Sequence, residues 1–496
     1  MIWEIGSYSV ARFIFQRLLG LIYLVAFLII VNQFKGLCGD QGLLPVRLFV
    51  KRVDFWDSPS LFWFKNSDAF IMTMAYLGLA LALIATLGVS DLFGTWASML
   101  VWALLWLIYL SFTNVGQTFY GFGWEMLLLE TGFLAIFLGP LKAPVSLILI
   151  LLLRWVLFRI MFGAGLIKIR GDTCWRDFTC LQYHYETQPM PNSLSWYFHH
   201  FPIWIHRFGV GFNHFVELVV PFGFFGPRNI RILAGVITIA FQLTLIFSGN
   251  LSWLNCLTIV LCFACFDDDF FNRLLQVFDQ SWVVAPTLAG IPSLVVYGLL
   301  AVILILSVKP TINLFSSSQM MNSSFDPLHL VNTYGAFGSI TRERYEIVME
   351  GTDASKITPE TRWKAYEFKG KPGDPAHRPP QITPYHYKLD WQMWFAAMGS
   401  YQQYPWIVNL VAKMLKGQKD VLSLLRINPF EDHPPKFVRA QLYLYRFTKP
   451  GETGWWKREL VGSYLPPLSL EDQGFRAALE RQGWLEESRD SQPENL

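Results

Sequence analysis

Long runs of apolar residues alternate with short polar segments along the first 308 residues. A helix that spans a bilayer needs about 20 mostly apolar residues, because lipid offers no partner for an unpaired backbone group. The pattern predicts about nine spans, of which the two shortest, 211–226 and 251–266, are either re-entrant or tilted. The predicted spans cover residues 13–31, 69–88, 92–112, 122–140, 144–168, 211–226, 230–248, 251–266 and 289–308.

From residue 309 onward the pattern changes to short runs with a period of two. The runs RYEIVMEG, WKAYEFKG and KFVRAQLYLYRFT predict antiparallel strands, and the last is apolar on both faces, as in a central strand. The segments LDWQMWFAAM and PWIVNLVAKMLKG have helical spacing, and so does 470–485. We therefore predict a polytopic helical membrane domain over 1–308 and a β-rich, sandwich-like soluble domain with helical insertions over 309–470. Residues 471–496 are predicted to be a helix and a disordered tail, SRDSQPENL.

Composition agrees with this division. The chain is 53% hydrophobic and 16% charged, whereas a soluble domain carries about 25% charged residues. Residues 1–308 hold 33 charges and the remaining 188 positions hold 44. Intrinsic disorder, a small secreted disulfide protein and a purely soluble enzyme are excluded. The net charge of +3 has no long basic run behind it, so no nucleic-acid partner is expected. Four predicted spans separate the loop at 170–210 from the soluble domain, so both should face the same compartment.

Five charged residues cluster in two adjacent predicted spans. One span carries Glu125 and Glu130, and the next carries Arg154, Arg159 and Lys168. Ionisable groups inside a membrane are costly and mark a pairing or functional site. One interpretation is a set of buried ion pairs that fix the register of adjacent helices, and the other is a polar chamber for chemistry or binding. Lys168 is a candidate base, since a desolvated amine can lose its proton; alternatively, it reaches the membrane surface from a helix end.

The polar loop after Lys168 is rich in cysteine and histidine. Cys174 and Cys180 are close enough in sequence to form a disulfide in an oxidising compartment, and reduced thiols are the alternative. Because metal-binding histidines on helices usually lie three or four positions apart, we favour packing at a membrane surface over a metal site. Cys262 and Cys265 end an apolar span before three aspartates, which favours inert thiols over a redox pair. The five histidines of this loop are His184, His199, His200, His206 and His214.

The soluble domain contains no Gly-rich phosphate loop, no GxSxG motif and no cluster with metal-ligand spacing, so no cofactor or metal is predicted. Its segment GKPGDPAHRPPQITPYHYKLDW has the composition of a proline-stiffened surface loop with exposed aromatic residues, which would suit binding a protein; a plain connecting loop is the alternative. Asn322 begins an N-glycosylation sequon that could be used only in a secretory lumen. The candidate binding residues are Tyr385, His386, Tyr387, Trp391 and Trp394.

Several long motifs resemble those of the lipase maturation factors. They include GFGWEMLLLETGFLAIF, RGDTCWRDFTCLQYHYETQPMPN, VNTYGAFGSITRERYEI, RPPQITPYHYKLDWQMWFAAM and INPFEDHPPKFVRAQLYLYRFT, and the similarity covers most of residues 10–465. The resemblance implies a non-enzymatic folding factor, or chaperone, of the endoplasmic reticulum membrane that helps homodimeric lipases of the lipoprotein lipase type reach an active state. It also implies a lumenal C-terminal domain that contacts the client and a lumenal loop in which Cys174 and Cys180 are bridged. In a bacterium, the equivalent site is the periplasmic side of the cytoplasmic membrane, with a bacterial client.

A shorter similarity concerns Lys168. The string FGAGLIKIRGDTCW is similar to a short pattern in the membrane domains of vitamin K-dependent γ-carboxylases, in which the matching lysine acts as the base. This resemblance keeps a membrane-embedded enzyme as an alternative function. A membrane thiol oxidoreductase that uses Cys262 and Cys265 is a further, weaker alternative.

Overall fold

Residues 7–276 and 288–485 are described by a computed structural model. Within these residues, seven helices are long and apolar enough to cross a membrane. The predicted spans at 122–140 and 251–266 are shorter helices, and α10 continues as a 3-10 turn, Val220–Phe225. The helices of this half are α1 Ser9–Cys38, α2 Val46–Phe49, α3 Asp68–Leu87, α4 Thr95–Val115, α5 Gly123–Ala135, α6 Leu147–Arg170, α7 Thr173–Arg176, α8 Leu181–Thr187, α9 Ser195–His199, α10 Ile203–Leu218, α11 Arg228–Ser248, α12 Leu254–Cys262, α13 Asp268–Gln276 and α14 Ser293–Phe315.

Close packing between α1 and α3 depends on a glycine. A Cβ atom at Gly78 would lie 2.1 Å from the ring of Phe27, so only glycine lets the two helices approach at this point. At its C-terminus, α3 ends on Gly88 in the left-handed conformation (φ 74°), which glycine adopts without strain.

Helix α5 is the most enclosed element of the membrane domain. All of its residues except Phe133 are buried, whereas a helix at a lipid or water surface has one exposed face. The two acids of α5 therefore face other protein groups and not lipid.

The boundary predicted at residue 308 falls inside a helix. Lys309 and Pro310 interrupt the apolar run, but α14 continues past both to Phe315, with Pro310 inside it. The first residues assigned to the soluble domain thus continue the last membrane helix.

The C-terminal half is built on an antiparallel sheet of four strands in the order β4-β3-β5-β6. The predicted central position of the strand KFVRAQLYLYRFT is correct, since β5 pairs with β3 on one side and β6 on the other. Strand β6 was not predicted. The elements are β1 Ser323–Ser324, β2 Asn332–Thr333, β3 Arg344–Thr352, β4 Lys364–Ala365, α15 Lys388–Ala397, α16 Trp406–Leu415, α17 Lys419–Leu422, β5 Phe437–Phe447, β6 Trp456–Leu468 and α18 Gln473–Gln482.

The predicted fold class, a helical membrane domain followed by a β-containing domain with helical insertions, is confirmed. Helices α15 and α16 pack on β3 and β5, so a helical layer and not a second sheet covers the four strands. The small sheet of β1 and β2 contacts α5, α6 and α14 instead. The predicted tail SRDSQPENL lies outside the described residues.

One apolar core runs through both halves of the chain. The same cluster of buried side chains includes Phe34 of α1, Ile347 and Met349 of β3, and Trp406 of α16. The rings of Phe119 and Trp406 lie 5.8 Å apart across the boundary. The C-terminal half is therefore packed directly against the membrane domain.

Candidate functional site

A buried ion pair joins the two halves of the chain. Lys388, the first residue of α15, donates from Nζ to Oε1 of Glu125 at 2.5 Å, and both side chains are completely buried. The Glu125 carboxylate also accepts hydrogen bonds from Tyr109 and, at 3.0 Å, from the indole of Trp124. Burial lowers the pKa of Lys388 and the neighbouring carboxylate opposes this. Glu125 thus finds its cation in the C-terminal half and not on the adjacent membrane helix.

The segment just before Lys388 is held by α1. Gln33 donates from Nε2 to the carbonyl of His386 at 2.7 Å and accepts from the backbone N–H of Lys388 at 3.0 Å. The ring of Trp124 lies 5.0 Å from that of His386 and 4.9 Å from that of Trp391. The amide of Gln33 therefore holds the backbone of this segment, and the indole of Trp124 packs against its rings.

The aromatic residues predicted to be exposed in this segment are not exposed. His386 and Trp391 are buried, and Tyr385, Tyr387 and Trp394 are partly buried. The indole of Trp394 donates to the carbonyl of Thr187 at 3.0 Å. The reason is that the proline-rich segment turns back onto the membrane helices, so its rings fill the junction.

A second buried pair lies one turn further along α5. Arg159 of α6 forms a bidentate contact with Glu130, and it also donates to the carbonyl of Asn332 at 2.7 Å. Glu130 accepts from the backbone N–H of Asn332 at 3.1 Å and from the hydroxyl of Tyr334 at 2.5 Å. The pair therefore anchors the segment around β2 to the membrane helices.

The remaining two intramembrane cations have other partners. Arg154 donates to the carbonyl of Ala264 and to the hydroxyl of Tyr8, both at 2.8 Å. Lys168 is 5% exposed, and it donates to Glu217 at 2.5 Å and to Asn213 at 3.1 Å. The five charges singled out in the sequence thus lie in separate pairs and contacts and do not line one chamber.

The loop at 170–210 packs against the C-terminal half. Cys174 and Cys180 are bonded to each other and buried. Asp172 caps α7 by accepting from the N–H of Cys174 at 3.0 Å, and it binds Arg342 through two hydrogen bonds of 2.8 and 3.0 Å. The hydrogen bonds from Arg342 lower the pKa of Asp172 to about 2. Arg344 donates to the carbonyl of Pro189 at 2.9 Å.

The other cysteine and histidine candidates have ordinary packing partners. Cys262 and Cys265 are buried free thiols. Within the described residues, no metal-type cluster includes a histidine of the 170–210 loop; His206 and His214, for example, contact backbone carbonyls. Asn322 is partly buried, and its side chain accepts from the N–H of Gly335 at 3.4 Å. Glycosylation at Asn322 remains a prediction.

Comparison with known proteins identifies the family. Residues 10–273 match the family model described as the lipase maturation factor transmembrane domain, and residues 330–466 match the lipase maturation factor C-terminal domain. The chain belongs to the lipase maturation factor family. The ion pair between Glu125 and Lys388 therefore connects the two domains that define lipase maturation factors, and the contact between Arg159 and Asn332 does the same.

Individual relatives agree over nearly the whole chain. Lipase maturation factor 1 of Mus musculus is 46% identical, with 94% of this chain and 88% of the relative covered. The Homo sapiens protein of the same name is 45% identical, with 97% of this chain and 91% of the relative covered. Lipase maturation factor 2 of Xenopus laevis is 31% identical over 96% and 85%. No solved structure matches the chain significantly. The resemblance seen in the sequence motifs is confirmed.

Proposed function

We propose that this chain is a membrane-anchored maturation factor that helps secreted lipases fold and assemble into active homodimers. The proposal is supported by relatives named lipase maturation factor 1, which are 45–46% identical over 94–97% of the chain. The client would be a lipase of the lipoprotein lipase type or a bacterial equivalent, and the C-terminal domain would contact it.

The single observation that carries this proposal is the junction between the two halves. A buried ion pair and a continuous apolar core hold the C-terminal domain rigidly against the membrane domain. Such an arrangement suits a scaffold that presents one domain at the membrane surface. The Lys168 amine is buried and is bound by Glu217 and Asn213, and these contacts support a structural role for this lysine.

We further propose that the C-terminal domain lies in the endoplasmic reticulum lumen if the source is eukaryotic, and in the periplasm if it is bacterial. The loop at 170–210 contacts this domain and carries a disulfide, and disulfides persist in oxidising compartments. The sequon at Asn322 would then be open to glycosylation in a eukaryote.

Co-expression with a client tests the role. The full chain is expressed with a homodimeric secreted lipase in cells that lack their own maturation factor, and secreted lipase activity per amount of lipase protein is measured together with the dimer fraction. We expect both to rise several-fold. Unchanged activity and dimer fraction, with the chain present in folded form, would contradict the proposal.

Site-specific photo-crosslinking tests the contact surface. Leu460 on β6 and Leu304 on α14 are similarly exposed leucines, 56% and 59%, on the C-terminal and membrane domains respectively. A photoreactive residue at 460 should give a lipase adduct, and one at 304 should give none. Adducts only at 304 would show that the membrane domain, and not the C-terminal domain, holds the client.

A further inference from the structure

Three metal-ligand side chains converge on the C-terminal domain. The ligand atoms of Glu367, Asp374 and His377 all lie within 4.8 Å of one another, and His377 Nδ1 is 3.2 Å from Glu367 Oε2. The three side chains line the same pocket. We propose that they form a binding site for a divalent transition metal ion, with Zn²⁺ as the best match to the ligand set. This inference does not depend on the proposed role in lipase maturation.

The backbone fixes each ligand position separately. The backbone N–H of Glu367 donates to the carbonyl of Ile427 at 3.1 Å, and the backbone carbonyl of Glu367 accepts from the N–H of Arg426 at 2.7 Å. Next to Asp374, the carbonyl of Gly373 accepts from the hydroxyl of Tyr445 at 2.6 Å. The loop that carries the ligands is therefore positioned before any ion binds, which lowers the cost of ordering a site.

The turn between Asp374 and His377 is held by the β5–β6 hairpin. The carbonyl of Pro375 accepts from the backbone N–H groups of Trp455 and Trp456 at 2.9 and 3.1 Å, and the N–H of His377 donates to the carbonyl of Asp374 at 3.0 Å. This turn places the imidazole on the same side as the two carboxylates. It thereby forms a three-ligand set from residues that lie on one short stretch of chain.

The ligand chemistry favours Zn²⁺ over Mg²⁺ or Ca²⁺. Zn²⁺ binds imidazole nitrogen together with carboxylate oxygen, whereas Mg²⁺ and Ca²⁺ prefer oxygen ligands alone. Ligand atoms around a tetrahedral Zn²⁺ are about 3.4 Å apart, so the present separations need only small rotations of the exposed Asp374 and the partly buried Glu367 and His377. Three protein ligands leave a fourth position open for water or another small ligand.

Two carboxylates this close together also favour a bound cation electrostatically. Some of the nearby cations have other partners: Arg458 donates to the hydroxyl of Tyr445 at 3.3 Å, Lys369 donates to the carbonyl of Ser423 at 2.6 Å, and Lys371 pairs with Glu346 at 2.7 Å. Arg378 and Arg426 also line the pocket. Their charges weaken the attraction for a dication without occupying the ligand atoms. A single dication between the carboxylates would bind both directly.

Metal titration of the full chain tests the site. Protein without a histidine tag is purified in detergent, stripped with a chelator and titrated with Zn²⁺ by calorimetry, with bound zinc counted by elemental mass spectrometry. We expect the wild type to bind one more Zn²⁺ than Glu367→Gln or His377→Ala, or to bind it at least tenfold more tightly. Equal stoichiometry and affinity in all three proteins would overturn the proposal, as would binding of Ca²⁺ in preference to Zn²⁺.

A second histidine–carboxylate pair provides the matched control. His433 lies 3.5 Å from Asp353 and is also exposed, but within the described residues no third ligand joins that pair. His433→Ala should retain the bound Zn²⁺, and an equal loss in His433→Ala would show adventitious binding. If His377→Ala fails to fold, zinc X-ray absorption of the wild type decides instead. Imidazole with oxygen ligands supports the site, and sulfur ligands would overturn it.

Discussion

The junction between the two halves and the outer edge of the sheet contain the same kind of ion pair in opposite surroundings. Lys388 and Glu125 meet at 2.5 Å with both side chains 0% exposed. Lys457 of β6 and Glu452 also meet at 2.5 Å, but their side chains are 59% and 34% exposed. Two ion pairs of equal length therefore differ in what their loss does to stability, because the buried pair has lost its water and the exposed pair has not.

The difference shows where the chain uses charge to specify structure. A buried charge that loses its partner is strongly destabilising, whereas an exposed one is solvated at once. The buried ion pairs at the junction favour a single orientation of the C-terminal domain on the membrane helices. The two domains of this lipase maturation factor are thus expected to fold as one unit.

The largest predicted effect comes from breaking the junction pair. Lys388→Met leaves the Glu125 carboxylate buried without its cation, which should cost about 3–5 kcal/mol of unfolding free energy. We expect a sharp fall in folded yield and in thermal unfolding temperature, measured on protein in detergent. Adding Glu125→Gln to this variant should recover much of the loss, because the uncompensated charge is then gone.

Lys457→Met on the outer edge is the matched control for this experiment. It removes the same charge from a pair of the same length, and because both side chains are solvated it should leave the unfolding free energy nearly unchanged. A loss in Lys457→Met as large as that in Lys388→Met would show that burial does not set the value of these pairs.

Removing Lys168 tests whether this residue is a partner in a structural ion pair or a catalytic base. Lys168→Met should cost about 3 kcal/mol, at the lower end for a buried pair, since Asn213 still donates to Glu217 at 2.9 Å. Lys168→Met combined with Glu217→Gln should restore most of the stability and retain lipase maturation in the co-expression assay. A folded double variant that has lost maturation would favour the enzyme alternative.

The disulfide is predicted to have a smaller effect. Cys174 and Cys180 are six positions apart, and a closed loop this short constrains the unfolded chain by about 2 kcal/mol. Replacing both residues with serine should lower the unfolding temperature modestly while the loop at 170–210 stays docked through Asp172 and Arg344. The measurement is thermal unfolding of the double variant beside Cys262→Ser with Cys265→Ser, which removes two free thiols.

Local pattern predicted much of the C-terminal fold. The period of two in β3 and β5 and the helical spacing in α15 and α16 arise from neighbours in sequence, so the sequence alone revealed them. Strand β6 was missed because the consecutive charges Lys457, Arg458 and Glu459 break the alternation of apolar and polar residues, and because its end carries two prolines. These features are typical of an edge strand.

Partners that are distant in sequence could not be predicted from it. Glu125 and Lys388 are 263 positions apart, and Lys168 and Glu217 are 49 apart. The sequence identified the buried acids and bases but offered the adjacent helix as the nearest source of partners, which was right for Glu130 with Arg159. The cluster at Glu367 was missed for a different reason: its three residues lie within 367–377, but in an irregular loop and not at a regular helical or strand spacing.

Buried histidines should make stability depend on pH. Burial, with a contribution from the Lys168 charge, lowers the pKa of His184 to about 3, below the usual value of about 6.5. Between these values the unfolded chain binds more protons, so stability falls as the pH drops, by roughly 1 kcal/mol per pH unit for one such group. His184→Gln should flatten the slope of unfolding temperature between pH 7 and 5, and the same slope in the variant and the wild type would contradict the prediction.

The smallest predicted effect is that of Arg342→Met. This variant tests whether exposure to water or position at the junction sets the contribution of an ion pair to stability. Arg342 and Asp172 also join the two halves, but their side chains are 41% and 15% exposed. The hydrogen bonds from Arg342 lower the pKa of Asp172 to about 2, so the stability they add is complete above the unfolded value of about 4 and is lost as the pH falls toward 2. Arg342→Met should therefore cost at most about 1 kcal/mol at neutral pH, measured by thermal unfolding.

Comparing the loss of unfolding free energy in Arg342→Met with that in Lys388→Met separates exposure to water from position at the junction, because both variants remove a cation from the junction. A loss of 3 kcal/mol or more in Arg342→Met, similar to that expected from a buried pair, would mean that position at the junction outweighs exposure. A loss of at most about 1 kcal/mol would show that access to water sets the difference, since Asp172 is partly exposed and Glu125 is completely buried.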